Sequence, residues 1–280
     1  MEEYKVLQPF KYFNDHISVN VRPDGRKFDQ QRSIKLNANS VNTADASSLI
    51  KCGKTSVVCG ISLELATPKA EEPDNGFLVT NVELLPLCSS KFKPGPPSDY
   101  AQVVNNTVND ILKNSKCIDL KDLCIVSDKL AWVLYCDIAC LEYDGSIIDA
   151  CLATLMTSLK TLSLPHVIYD IETEEIKVDV NIRHPLKVTG LPVATSFVIY
   201  QSPDSNVALM DPTSFEEEMC GGNGANLVVC WNQGLLCGIH KFGGATLGTD
   251  GHKKLLNVAK ERSKTIEEVI NTCIANETSE

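Results

Sequence analysis

The sequence has no apolar run approaching the roughly 18 residues that a membrane-spanning helix needs, so no membrane partner is expected. It has no C-x-x-C pair, and its 5 histidines show no zinc-ligand spacing beside cysteines, so neither a metal nor another cofactor is expected. The opening MEEYKVLQPF is acidic and lacks the apolar core of a secretory signal. Positive charge is scarce too. The net charge is −10, opposite to the balance of a protein that binds nucleic acid unaided, because phosphate neutralisation supplies most non-specific affinity. If RNA is a partner, neighbouring chains must supply much of the positive field.

What is present describes an ordinary globular protein: 43% hydrophobic and 22% charged residues over a length sufficient for one large domain or two packed lobes. The 12 cysteines do not form a disulfide framework. Cys52, Cys59, Cys136, Cys140, Cys151, Cys230 and Cys237 lie inside apolar strand or helix patterns, where a free thiol acts as a small hydrophobe. That usage suits a reducing compartment, cytosol or nucleus.

The chain is organised around Leu130 to Leu162. Leu130 to Leu141 is rich in Trp, Val, Tyr, Ile and Cys and reads as a buried strand. Glu142-Tyr143-Asp144-Gly145 supplies a turn. From Ser146 apolar residues recur at helical spacing, with Ser146 three residues before Asp149 as in a capping box. A helix N-terminus presented after a tight turn suits phosphate, but its first turn holds Ile147, Ile148 and Asp149. The Asp149 carboxylate is expected to accept the first-turn N–H groups itself and repel an incoming anion.

Around this unit the pattern predicts a helix over residues 9–20, an Arg22-Pro23-Asp24-Gly25-Arg26 turn and a strand from Ser33 to Leu36. A hairpin follows, Ser48 to Cys52 and Thr55 to Leu65, turning at Gly53-Lys54. Gly53-Lys54-Thr55 mimics the tail of a P-loop, but Ser48 stands where the first glycine belongs and a strand, not a helix, follows. Ser48-x-x-Lys51 mimics a Ser/Lys nucleophile pair, yet residues three apart on a strand face opposite ways. Phe77 to Leu87 is a strand and Asp99 to Lys113 a helix with Val103, Val104, Val108, Ile111 and Leu112 inward. Between them, a Pro/Gly-rich loop exposes Lys91 and Lys93. They could touch an RNA backbone while Phe92 stacks a base. The second half reads as a hairpin over Val167 to Ile182 with Thr173-Glu174-Glu175 near its tip, strands Val193–Tyr200 and Val207–Met210, a hairpin over Leu227 to His240, and a helix over residues 252–275. Strands Leu130–Leu141 and Val193–Tyr200, apolar on both faces, are expected to build a subunit interface.

Several of these stretches occur in one order that resembles RNase PH-fold proteins. They are Thr43 to Gly60; Leu87 to Phe92 with Gly95 to Pro97; Trp132 to Asp137 with Tyr143 to Gly145; and Met210 to Thr213 with Glu216 to Glu218. Over roughly residues 22–260 the chain resembles the non-catalytic RNase PH-like ring subunits of the eukaryotic RNA exosome. The resemblance implies an α+β fold, RNase PH-like (ribosomal protein S5 domain 2-like), with two βαβα-type lobes packed together. The expected division is an N-terminal helix and turn (1–30), lobe 1 (31–165), a connecting hairpin and linker (166–191), and lobe 2 with the C-terminal helix (192–280).

Active members of that family bind phosphate with a Ser/Thr-Arg pair at the helix start, hold RNA with arginines in the helix after the Pro-Gly loop, and carry two aspartates after the strand near Asp211. Here Ile147, Ile148 and Asp149 form a degenerate phosphate site, and Asp99 to Lys113 has no arginine. Glu218 stands at a degenerate carboxylate site, with no second carboxylate in Gly221 to Asn226. The expectation is therefore a non-catalytic subunit of a hetero-hexameric ring of RNase PH-like chains, threading RNA, with S1/KH-type cap subunits and associated exoribonucleases as partners. Nucleus, nucleolus and cytoplasm are its expected locations. The rivals are a phosphate-dependent 3′-exoribonuclease, active alone or with a dimer partner, and a nucleotide binder using Gly53-Lys54-Thr55.

Overall fold

A computed structural model describes residues 2–170, 175–201, 206–221 and 224–277. The chain opens with α1 (Glu2–Leu7) and α2 (Pro9–Ser18), then β1 (Ile34–Ala38), β2 (Ala46–Cys52), β3 (Thr55–Ala66) and β4 (Phe77–Leu84). After α3 (Asp99–Ser115) come a 3₁₀ turn (Leu120–Leu123), β5 (Cys124–Val126), β6 (Leu130–Glu142) and α4 (Ile147–Thr161). The hairpin β7 (Ser163–Tyr169) and β8 (Ile176–Pro185) leads to β9 (Pro192–Gln201), β10 (Asn206–Met210), α5 (Ser214–Cys220), β11 (Ala225–Asn232), β12 (Leu235–Gly243) and α6 (Thr249–Glu277).

The first sheet runs β1-β2-β3-β6-β4, with β5 also on β6. Its pairs are antiparallel except β4 with β6, which lie side by side in parallel and are joined by a crossover that includes α3. The second sheet, β10-β9-β11-β12, is wholly antiparallel. Helix α4 packs on β2 and β3 on one side and on β9 on the other, so it is the layer the two sheets share. This explains why every α4 residue from Ile147 to Leu159 is buried. Its hydroxyls are satisfied inside that layer: Thr154 and Thr157 donate to carbonyls one turn back, and Ser158 pairs with Ser48. Thus Ser48 is a core contact, while Lys51 reaches Glu142 at the surface, and the Ser/Lys motif has no chemistry. The thiols follow the same logic. All 12 cysteines are free, and burial pushes the Cys59 thiol up to about 12.

The two lobes are tied by buried ion pairs. Arg22 is completely buried; its Nε donates to Glu216 Oε1 at 2.8 Å, and its other nitrogens reach Glu216 Oε2 and the Met210 and Asp211 carbonyls. Arg32 donates to both oxygens of Asp211, at 3.0 and 2.7 Å, and to the Asp144 carbonyl at 2.7 Å. Arg262 on α6 pairs with Asp149 on α4. Two glycines exist for this packing. A Cβ on Gly53, at φ +59°, would stand 2.5 Å from Arg32 Cδ, and one on Gly145, at φ +79°, 2.4 Å from the Pro212 carbonyl oxygen. Gly53-Lys54 is accordingly a strand turn shaped around an arginine.

The structure corrects four expectations. Ser146 does not cap α4: it sits at φ 52° and its hydroxyl donates to the Pro212 carbonyl. Val103 is 40% exposed rather than inward. Strand β9 is buried on both faces, but α4 and α6 of the same chain cover it, and β6 lies inside its sheet. Strand β9 is therefore closed to a partner, whereas β6, paired along both edges, still exposes Tyr135 and Leu141. Finally, α5 was not foreseen, although Thr213-x-x-Glu216 has the capping-box spacing, which the structure realises in both directions. Of the expected hairpin tip, Thr173 and Glu174 lie outside the described residues.

Burial alone would raise the Asp211 carboxyl, but the hydrogen bonds from Arg32 and the charges of Arg262 and Arg32 hold it well below the usual carboxylate range. A depressed folded value gives stability that is present above the unfolded value, near 3.9, and lost as pH falls through the folded one. Asp211→Asn should therefore cost about 3–5 kcal/mol at pH 7, since it strands buried arginines. The deficit, measured by urea denaturation, should shrink as pH is lowered below about 4.

Candidate functional site

The start of α4 faces the turn after β10, and there three successive glutamates on α5 take three different partners. Glu216, anchored by Arg22 and by the Thr213 N–H, fixes the helix in place. Glu217 turns toward α4: its Oε1 accepts the Ser146 N–H at 2.9 Å and its Oε2 the Tyr143 hydroxyl at 2.6 Å. Glu218 points outward and holds the Lys91 ammonium at 2.5 Å. The Lys91 ammonium also lies 5.5 Å from the centre of the Tyr143 ring.

Of these groups, Ser146 and Glu217 border a cavity of about 220 Å³, lined also by Tyr100, Val104, Ile147, Ile148 and Phe197, among others. Its walls are mostly apolar. Burial pushes the Glu217 carboxyl up, against the Tyr143 hydroxyl, the Ser146 N–H and the Lys91 charge, which pull it down. Burial and the same carboxylate push the Tyr143 hydroxyl far up, so it is a proton donor at neutral pH. A helix N-terminus attracts anions through its free N–H groups and dipole. Here it already holds one.

The residues singled out from the sequence are distributed differently from expectation. Ile147 and Ile148 line the cavity as apolar wall. Asp149 does not serve its own helix start; its carboxylate turns to the second lobe, accepting the Ser196 N–H at 2.9 Å, the Ser196 hydroxyl at 2.6 Å and Arg262. A buried carboxylate takes the strongest donors within reach, and those lie on β9 and α6. Phe92 cannot stack a base: it is 8% exposed and packs against Tyr100 and Tyr143. Lys91 and Glu218, expected at separate sites, form one ion pair, while Lys93 is exposed on the same loop. Sequence reasoning missed Glu217, Tyr143, Tyr100 and the Arg22, Arg32 and Arg262 anchors. Only the capping-box spacing at Thr213 carried a local signal for the orientation of α5. Among the described residues, no three His, Cys, Asp or Glu side chains gather as a metal site, and no helix is long and apolar enough to cross a membrane.

Two sheets sharing a central helix, with the start of that helix facing the turn after β10, define an RNase PH-like fold. A family model described as the 3′ exoribonuclease family, domain 1 (RNase PH), matches residues 30–165. The exosome complex component rrp43 of Schizosaccharomyces pombe is 40% identical over 216 residues, 77% of this chain and 78% of that protein. Rrp42 of Methanocella arvoryzae, another exosome complex component, is 31% identical over 248 residues, 88% and 89% of the two chains. Among solved structures, a chain of the Archaeoglobus fulgidus exosome with RNA bound to the active site superposes with a TM-score of 0.80 at 28% identity, covering 92% of this chain and 96% of that one. A chain of an archaeal exosome core has a TM-score of 0.76 at 24% identity, a likeness of fold. The chain belongs to the RNase PH family and groups there with exosome complex components.

If the Tyr143 hydroxyl is a donor to an ionised Glu217, Tyr143→Phe should cost about 1.5–3 kcal/mol by chemical denaturation. The same substitution in a Glu217→Gln background should cost clearly less, which a double-mutant cycle reads directly.

Proposed function

We propose that this chain is a non-catalytic structural subunit of the RNA exosome core, set in a hetero-hexameric ring among other RNase PH-like chains. The ring encloses the channel through which RNA passes to a separate nuclease. The observation that carries this reading is the start of α4: Ile147 and Ile148 wall it, and Glu217 occupies its N–H. Phosphoryl transfer depends on positioned positive charge at that point, and a carboxylate there opposes it. Helix α3 has no arginine to hold an RNA backbone, and Lys91 is neutralised by Glu218.

Two exposed edges support the ring. On β8, every second residue from Ile176 to Ile182 is an exposed β-branched side chain, and β12 exposes Leu235, Ile239 and Phe242 at the edge of the second sheet. A closed ring of non-identical contacts needs two different faces per subunit, and obligate interfaces commonly bury on the order of 2,000 Å² or more. S1/KH-type caps and associated exoribonucleases complete the proposed assembly, which acts in nucleus, nucleolus and cytoplasm. Lys93, free of the Lys91–Glu218 pair, is the lysine of its loop that faces RNA in the assembled channel.

Purified alone, the chain should release no nucleoside diphosphate from single-stranded RNA with phosphate, with or without Mg²⁺. Co-expressed with an RNase PH-like partner, it should appear as a stoichiometric complex by native mass spectrometry, with a melting temperature above that of either chain. Phosphate-dependent shortening of RNA would instead establish the exoribonuclease reading. In the assembled ring, Lys93→Glu should reduce crosslinking of threaded RNA while Lys91→Glu has the smaller effect; unchanged crosslinking for both removes this loop from the RNA path.

A further inference from the structure

Strand β10 is one edge of the second sheet, and its outer side is only half paired. The Asp211 N–H bonds back to the Ser196 carbonyl beside β9. The Met210 N–H turns the other way, to the Phe28 carbonyl at 2.9 Å, and the Met210 carbonyl accepts from Arg22. Antiparallel strands alternate in this respect, so Val207 and Leu209 bond to β9 while Ala208, like Met210, turns its N–H and carbonyl outward. Phe28 does not run on to meet them. Phe28 and Asp29 form a turn, closed by the Gln30 N–H on the Lys27 carbonyl. Among the described residues nothing pairs with the outward backbone of Ala208.

That edge borders a groove of about 910 Å³, at the upper end of the size of ligand sites. Phe197 and Met210, 1% and 4% exposed, lie beneath it with Ala208, and Leu255 and Val258 of α6 form a wall. The charged lining is balanced, Lys27 and Lys254 against Asp29 and Asp250. A phosphate chain would lose to the aspartates what it gains from the lysines, whereas an uncharged chain meets no net field. A free donor and acceptor on one strand residue are satisfied together by another extended backbone, and an apolar groove beside them takes its alternate side chains. The recess decides what kind of chain can enter. A neighbour's sheet edge brings its own covering layer about 10 Å away, and α6 already occupies that layer here. A lone extended segment carries no such layer.

We propose that β10 is a docking edge for an extended, uncharged segment of a partner protein, which adds to the second sheet as a further strand. The segment bonds the Ala208 N–H and carbonyl and lays alternate side chains on the face that Ala208 and Met210 share with Leu255. Its recognition signal is a pair of aliphatic residues at i and i+2 facing α6, with polar residues between them. Strand β12, whose apolar edge is assigned above to ring assembly, lies at the opposite side of the sheet. The two contacts do not compete, and this one stands whether or not the ring forms.

The test pans a phage-displayed peptide library against the full chain and then uses a fluorescent synthetic peptide of the enriched sequence as the probe. The enriched sequences should be uncharged with aliphatic residues at i and i+2, and the probe should bind saturably. Exchange of the Ala208 amide with solvent, fast in the free chain, should slow about tenfold or more at saturating peptide. Proline is tolerated on an edge strand where its N–H would face outward, so Ala208→Pro removes the docking donor and keeps the ladder to β9. It should weaken peptide binding about tenfold with little change in circular dichroism. Should that variant fold poorly, Val258→Glu puts a charge on the α6 wall, leaves β10 untouched and should weaken binding likewise. No enriched sequence, an enriched pattern at helical i, i+3, i+4 spacing, or binding that neither variant changes overturns the proposal. Two further results overturn it by naming another occupant. Binding of an oligouridylate that Ala208→Pro removes would assign the groove to RNA. A concentration-dependent dimer in native mass spectrometry, removed by the same variant, would assign it to a second copy of this chain.

Discussion

The structure turns on one buried carboxylate. Asp211, at the end of β10, sits at φ 51° and accepts from the Arg32 backbone and side chain, while its own carbonyl accepts from Arg22 and Arg26. A residue with a Cβ adopts that backbone only when its surroundings over-determine it. They do. Arg32 also grips the carbonyls of Asp144 and Gly145, so the turn before α4 and the turn after β10 are clamped to one guanidinium. Everything at the candidate site inherits its position from that clamp: where α4 starts, where α5 starts, and which way each glutamate faces.

Such an arrangement is expensive in isolation, since a buried ion pair rarely repays its desolvation against an apolar replacement. Its value here is specificity of register. Guanidinium forks bind two acceptors in fixed geometry, so Arg22 and Arg32 set distances between segments far apart in sequence in a way that leucines could not. The apolar core built from β3, β6 and α4 supplies the bulk of the driving force, and the arginines decide which of its compact packings is reached.

The fold was largely legible because its elements announce themselves locally. Apolar periodicity marked α4, the β2–β3 hairpin and α6, and a change of period marked the turn at Gly145. The site was much less legible. Glu218 could be picked out by resemblance, but Glu217, one residue earlier, is the group at the helix start, and a helix one turn out of view decides between them. Asp149 looked like a cap because Ser146 stands three residues before it. Its true partners are 47 and 113 residues away, and Arg22 finds Glu216 across 194. Local spacing describes what a side chain can do for its own element. It carries no information about a stronger donor delivered by a distant one, and in a dry interior the stronger donor wins.

The Asp149–Arg262 pair has a further consequence, and it concerns time. During synthesis the first sheet and α4 are complete long before α6 emerges, yet the face of α4 that carries Asp149 is still waiting for its countercharge. Strand β1, an edge of that sheet, likewise packs on α6. Until the last tenth or so of the chain leaves the ribosome, that face of α4 lacks the helix that covers it and Asp149 lacks Arg262. A truncation near its end therefore does not trim the molecule but leaves its middle unfinished.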